Sequence, residues 1–279
     1  MLTLYNIVSF EASKLVTTTY STSFSRAVSF LDHDIRDAIY SIYGFVRLAD
    51  EIVDTFHDFD KHSLLDSFER NFYEALSNGI SLNPVLNSFQ ITVKKYNIDD
   101  ELIQAFLNSM KLDLSRLEHK SKDETDEYIY GSAEVVGLMC LKVFVDRNES
   151  LYKELKEPAR KLGSAFQKVN FLRDLRNDTQ DLKRQYFHSL NDHIFDEVTK
   201  ADIITDIEND FNSSVTGMRK LPRNSRLGVM IAFYYYKALL NKIRRIPAKR
   251  ILEKRIRISD TGKLLLLLKA FVANRLNLV

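Results

Sequence analysis

The sequence predicts an all-α protein, one domain of ten or so helices packed around a central cavity. Three observations carry this. First, the 279 residues contain 8 Gly and 4 Pro, where average usage would give about 20 and 14. That shortage disfavours a turn-rich β-sandwich or barrel and favours long helices. Second, apolar residues recur at three- and four-residue spacings along most of the chain. Third, no Gly/Ser- or Pro-rich linker and no repeat of fixed period divides residues 1–279, so a single domain is expected. Strand content should be very low.

The elements follow in order. Ile35 to Asp54 places Ile35, Ala38, Ile39, Ile42, Tyr43, Val46, Ala49 and Val53 at helical spacing. Asp60 to Asn78 reads as a helix ended by Asn78-Gly79. Pro84 starts another towards Tyr96, and Asp99 or Asp100 caps the next, through Leu117. Lys120 to Glu124 is a charged break. Thr125 to Val145 carries Gly131, Ala133 and Gly137, small residues that let helices approach or leave room for a substrate. Pro158 is expected to open a helix from Ala159 to Asn177, and Asp178 to Asp192 is polar and irregular. Helices resume over Val198 to Met218, after Pro222, and from Ser259 to Leu278, with Ser259 or Asp260 as cap.

Composition excludes several classes. The one cysteine, Cys140, cannot form an intramolecular disulfide and gives no support for secretion; it reads as a core residue. No run approaches 18 apolar residues, so a membrane span is not expected, and Met1 to Lys14 does not read as a signal peptide. A cytoplasmic protein is expected. The net charge of +2 hides a polarity: Gly217 to Val279 holds 16 Lys+Arg against Glu253 and Asp260. A basic tail fits nucleic acid, anionic lipid, an internal acidic partner or a solvated face. Nucleic acid is set aside, because no zinc-finger spacing or RNA-binding signature accompanies the charge.

Two carboxylate rows suggest chemistry. Asp50 and Asp54 lie four apart, about 6 Å of rise and roughly 40° of rotation on a helix, and so share a face. Like charges at this spacing repel, and the surrounding face is apolar. The plain alternative is an exposed acidic edge. Asn170, Asp174 and Asp178 form a second row at i, i+4 and i+8 if the helix continues, with Arg173 and Arg176 beside them. Two oxygen-rich rows facing across a bundle suit Mg²⁺, with Mn²⁺ as a substitute, and one diphosphate. The chemistry this fits is ionisation of an allylic diphosphate: cations neutralise the leaving anion, and a dry cavity protects the carbocation. Aromatic faces can stabilise that cation. Phe24, Tyr40, Tyr43, Phe45, Tyr128, Tyr130 and Phe166 lie near the motifs, although ordinary core packing also explains aromatics there.

The text of these motifs resembles the squalene/phytoene synthase family, the trans-isoprenyl head-to-head synthases. The matches are Tyr20 to Leu31 (YSTSFSRAVSFL), Ala38 to Asp54 (AIYSIYGFVRLADEIVD), Glu124 to Gly137 (ETDEYIYGSAEVVG), Leu162 to Phe187, Tyr234 to Ile243 and Lys254 to Ala270. They span nearly the whole chain, in the family's order. The resemblance implies an isoprenoid-synthase helical bundle and Mg²⁺-dependent condensation of two identical prenyl diphosphates through a cyclopropyl diphosphate. It implies metal ligation by Asp50, Asp54, Asn170, Asp174 and Asp178. It implies catalytic roles for Tyr43, Arg47 and Tyr130, and substrate contacts from Ser21, Ser23, Phe24, Gln167, Arg173, Arg184, Tyr186 and Tyr236.

Two departures stand out. Five residues separate Asp178 from Arg184 where the family usually has four, and Glu51 stands where a second aspartate is common. The motif text is closest to bacterial phytoene synthases, which join two C20 geranylgeranyl diphosphates to 15-cis-phytoene, in carotenoid biosynthesis, without NADPH. The alternative is C15 farnesyl diphosphate coupling, to squalene with NADPH or to dehydrosqualene without it. A non-catalytic homologue that assists assembly is a further alternative, but both carboxylate rows are intact. For the basic tail, Arg255 or Arg257 is expected to face diphosphate, and Lys237 to Arg257 to hold a peripheral membrane surface.

Overall fold

Two helices that the periodicity did not predict open the chain: α1 (Leu2–Tyr20) and α2 (Thr22–Ser29). The computed structural model describes residues 2–115, 121–181, 185–187 and 195–276. The buried face of α1 is made of Ser9, Ser13 and Thr17, so no apolar stripe marks it. The Ser13 and Ser88 hydroxyls meet at 2.7 Å, and Asn87 Nδ2 donates to Ser9 Oγ at 3.0 Å. These bonds satisfy polar groups that burial would otherwise leave costly.

The next helices match the expectation closely. α3 covers His33–Asp54. In α4 (Lys61–Asn78) the Ser63 amide donates to Asp60, and Gly79 closes the helix at φ 75°, the left-handed position where glycine has no steric cost. In α5 (Pro84–Tyr96) Asn83 accepts from the amides of Val85 and Leu86. α6 spans Asp100–Ser115; its expected last turn, Arg116 and Leu117, lies outside the described residues. The charged break is shorter than expected: Ser121 caps α7 (Lys122–Ile129), so Lys122 to Glu124 are already helical.

Between α7 and α8 (Val135–Val145) the chain makes one π-helical turn, Tyr130–Glu134. Such turns concentrate at functional sites. Gly131 allows this turn to press on α6, where an added Cβ would lie 2.7 Å from Ser109 Cβ and 2.8 Å from the Ala105 carbonyl. Gly131→Val is therefore expected to cost about 3 kcal/mol in a urea melt; an unchanged midpoint would contradict this packing.

One sequence expectation fails here. Pro158 does not start a helix but lies inside α9 (Glu149–Arg176). Asn148 caps the true start, accepting from the Leu151 amide at 3.0 Å. A mid-helix proline costs about 3 kcal/mol, and packing of α9 on α8 and on α10 (Glu197–Lys220) holds its two halves together. Gly217 of α10 makes room for the ring: a Cβ there would sit 2.3 Å from Pro158 Cβ. After Arg176 the chain widens into a second π-helical turn, Asn177–Asp181. α11 (Arg223–Arg245), α12 (Ala248–Ile251) and α13 (Asp260–Arg275, capped by Ser259) complete the chain. No strand occurs among the described residues.

α3 divides the interior. One side packs into an aromatic core, where Phe45 stacks on Phe89 at 4.0 Å and meets Phe72 at 5.1 Å. The other side borders a cavity. Lys122–Val145 is long and apolar enough to cross a membrane, but 61% of its most apolar window is buried inside the protein, as in a core helix.

Candidate active site

The cavity has a volume of about 670 Å³ and is walled by α2, α3, the first π turn with α8, α9, α10, α11 and the segment around 255–263. Small residues leave the space: Ala27, Ala133, Gly137, Ala159, Gly163 and Ala232 all face it. Along α9 the lining runs from Leu155 to Arg173, about 27 Å of helix at 1.5 Å per residue. Among the described residues, every acidic or basic one in the lining sits towards the C-terminal end of α3 or α9 or in the 255–263 segment: Asp50, Arg173, Arg255, Arg257 and Lys263. An apolar chain with one charged head fits that asymmetry.

Side chains at the charged end are held in place. Tyr43 stacks on Phe24 at 4.8 Å, and burial pushes its hydroxyl up to about 12. Tyr236 stacks on Phe166 at 4.2 Å and is hydrogen-bonded by the Asn170 side chain; burial raises its pKa also. Asn170 Oδ1 is buried without a hydrogen-bond partner. Asp174 is bound by Arg173 and by Arg255, whose Nε lies 2.7 Å from Oδ1. The Asp50 carboxyl is pushed up to about 7, first by burial and then by Asp54, with Arg47 opposing.

Most sequence-predicted residues converge on this cavity: Ser21, Ser23, Phe24, Tyr43, Asp50, Gln167, Asn170, Arg173 and Tyr236 line it, as do Arg255 and Arg257. Ser21 also caps α2, accepting from the Phe24 amide. Others stand behind the wall. Arg47 lies under the Tyr20 ring at 4.5 Å and pairs with Glu51. Asp54 ends α3 one turn beyond Asp50. Asp174 reaches the wall through its arginines, and Asp178 is half-buried in the second π turn, where α-helical i+8 register no longer applies. Tyr186 is buried, stacked on Phe171 at 4.3 Å and on Tyr128 at 5.0 Å. Arg184 lies outside the described residues.

Tyr130 is a correction. It does not line the cavity; its ring sits beneath Arg160 at 5.3 Å. Tyr128 takes the cavity position, its hydroxyl donating to Asp113 Oδ2 at 2.6 Å. Residues two apart on a helix point to nearly opposite sides, and only the fold decides which one faces inward. Tyr40 and Phe45 are likewise core residues, whereas Phe24, Tyr43, Tyr128 and Phe166 line the cavity. Tyr128→Phe is expected to cost about 1–3 kcal/mol, because a buried carboxylate loses a donor; a denaturant midpoint equal to wild type would contradict this. Sequence reasoning missed Lys263 and Ser132, whose hydroxyl is buried without a partner. Both lie within matched stretches, Ser132 in Glu124 to Gly137 and Lys263 in Lys254 to Ala270, but neither belongs to a carboxylate row or is an aromatic that spacing would single out. Cys140 lines the wall, and burial raises its thiol to about 12, as expected of an unreactive core residue.

The donor set suits a hard cation. Among the described residues no three His, Cys, Asp or Glu side chains converge. Mg²⁺, however, commonly takes one or two carboxylates and completes its shell with phosphate and water oxygens. The partnerless Asn170 oxygen and the mutually repelling Asp50 and Asp54 are oxygen groups that such an ion would satisfy.

The comparisons agree with this arrangement. Residues 17–261 match the family model for squalene/phytoene synthase. The chain is 28% identical over 207 residues to the phytoene synthase of Arthrospira platensis, covering 70% of this chain and 66% of that protein, just under two thirds of its length. It is 23% identical over 247 residues to the 4,4'-diapophytoene synthase of Staphylococcus haemolyticus, covering 81% and 84%. The fold is that of a dehydrosqualene synthase crystal structure, with a TM-score of 0.82 at 20% identity over 97% of this chain and 98% of that one. With a one-ended charged cavity inside that fold, the chain belongs to the squalene/phytoene synthase family of prenyltransferases.

Proposed function

We propose that this protein condenses two geranylgeranyl diphosphates head to head into 15-cis-phytoene, in the cytoplasm, using Mg²⁺ and no reductant. The observation that carries the reading is the cavity itself, apolar along about 17 Å of α9 from Leu155 to Phe166, with Gln167, Asn170 and Arg173 beyond and its cationic and acidic groups at the helix ends. Small residues keep it open at depth, which favours the longer C20 chain. The similarity to a phytoene synthase supports the same choice.

Asp50, Asp54, Asn170, Asp174 and Asp178 would hold the metal, which when bound neutralises diphosphate charge and eases its departure. Arg173, Arg255 and Arg257 add fixed positive charge for the same anion. Arg255 and Arg173 now occupy Asp174, so substrate entry would exchange that internal pairing for contacts to the anion. Tyr43, Phe24, Tyr128 and Phe166 present ring faces and, with the aliphatic wall, exclude the water that would quench a carbocation. The first condensation releases one diphosphate and one proton and forms a cyclopropyl diphosphate. The second releases the other diphosphate and a second proton and leaves the C40 hydrocarbon, so the overall reaction balances without hydride.

A second reading, C15 coupling, is favoured by the similarity to a 4,4'-diapophytoene synthase and to the fold of a dehydrosqualene synthase. Incubation of purified protein with geranylgeranyl diphosphate, with and without Mg²⁺ and without NADPH, tests the proposal. Phytoene only in the presence of Mg²⁺ is expected. Farnesyl diphosphate alone yielding product would establish the second reading, and squalene formed only with NADPH would overturn the absence of a reductant.

A further inference from the structure

We infer that α13 is a membrane-docking helix, laying its outer face on an anionic bilayer beside the cavity. This rests on the reading that the product is a hydrocarbon. The helix is built inside out. Its inward contacts on α11 are Ala270 and Ala273, with Leu267 half-buried beside them, in a cluster with Ala27, Met230 and Ile231. Its large apolar residues point outward: Leu264, Leu265, Leu268, Phe271, Val272 and Leu276 are each at least 50% exposed. At 100° per residue these six fall within one arc, and a continuous apolar face of this kind marks an interaction surface.

Charge and position select the partner. Within α13, Lys263 pairs with Asp260 and turns to the cavity, while Lys269, over the Tyr234 ring, and Arg275 stay exposed beside the apolar face and are its only other charges. An apolar face with basic residues beside it suits an anionic lipid interface. Lys263 and the preceding Arg257 and Ile258 line the cavity, so the helix starts at the wall that an apolar product must leave. α1 exposes Leu4, Val8 and Leu15 as well. Its one lysine is paired with Glu11, however, and of its residues only Tyr20 reaches the cavity.

This moves the lipid contact away from where the sequence suggested it. In Lys237 to Arg257 much of the charge is turned to the protein. Lys237 lies over the Phe233 ring at 5.4 Å, and Lys242 donates to the Arg257 carbonyl at 2.6 Å. Arg244 pairs with Glu208, and Arg255 with Asp174.

The test is flotation of the full chain with phosphatidylcholine vesicles, with and without phosphatidylglycerol. Wild type should float with the anionic vesicles, and the triple variant L264S/L268S/F271S should lose about tenfold of the bound fraction. Because the chain has no tryptophan, L268W supplies a single fluorophore whose emission should shift to the blue and be quenched by brominated lipid. No flotation of wild type, undiminished flotation of the triple variant, or an unquenched L268W would each overturn the inference. So would a wild-type dimer in sedimentation that the triple variant converts to monomer, since the face would then bind a second copy. Prenyl coupling assayed in detergent alongside keeps the two readings apart: product with no vesicle binding sinks the docking helix alone, and vesicle binding with no product sinks the proposed reaction alone.

Discussion

Asp50→Asn is expected to reduce prenyl coupling by a factor of about a hundred to a thousand, the scale for losing one electrostatic group aimed at developing charge. Among the described residues Asp50 is the one acidic residue that lines the cavity, so under the proposed reaction the substitution removes a carboxylate from the charged end. The same change should stabilise the metal-free protein above neutral pH. Burial and the neighbouring Asp54 push the Asp50 carboxyl up to about 7. The folded chain therefore holds this proton more tightly than the unfolded chain does. Stability falls as pH rises from the ordinary carboxylate range to about 7 and is flat above it. Thermal melts without metal should show that fall in wild type and a reduced fall in Asp50→Asn. Equal slopes would contradict the assignment. Activity loss and apo-state gain together separate a charged site under strain from simple misfolding.

Ala159→Phe is expected to shift the product from C40 towards C30. Ala159 faces the cavity fourteen residues before Arg173, about 21 Å along the helix at 1.5 Å per residue. It lies opposite Gly137, where a Cβ would be 3.4 Å from its carbonyl. A phenyl group there blocks the distal space and leaves the charged end untouched. Since even one methylene of misfit is worth about tenfold or more in discrimination, C20 coupling should fall by at least that factor while C15 coupling persists. Equal loss with both substrates would indicate a general packing defect and count against a depth-limited cavity.

Much of this was legible in the sequence because apolar periodicity, caps and stops act locally. Asp60, Gly79, Pro84 and Ser259 do in the structure what their positions predicted. The carboxylate rows stood out because like charges four apart on an apolar face demand an explanation. The parts that were not legible depend on contacts distant in sequence. α1 hides its inward face behind serine and threonine. Pro158 reads as a helix start until α10 supplies Gly217 to accommodate its ring. The choice of Tyr128 over Tyr130 depends on which side of a helix faces inward, and the register of Asp178 depends on a π turn that periodicity does not reveal. Lys263 lies in the matched stretch Lys254 to Ala270, but only the packing of α13 on α11 brings it to the cavity wall.

The central claim, a cavity for two C20 chains served by one charged end, is tested most directly by competition. Purified protein with Mg²⁺ and no NADPH would be given equal concentrations of geranylgeranyl and farnesyl diphosphate, and the hydrocarbons extracted and identified. The account predicts phytoene in excess over any C30 product, with two diphosphates released per hydrocarbon. A C30 hydrocarbon in excess, or no hydrocarbon from either substrate, would contradict it.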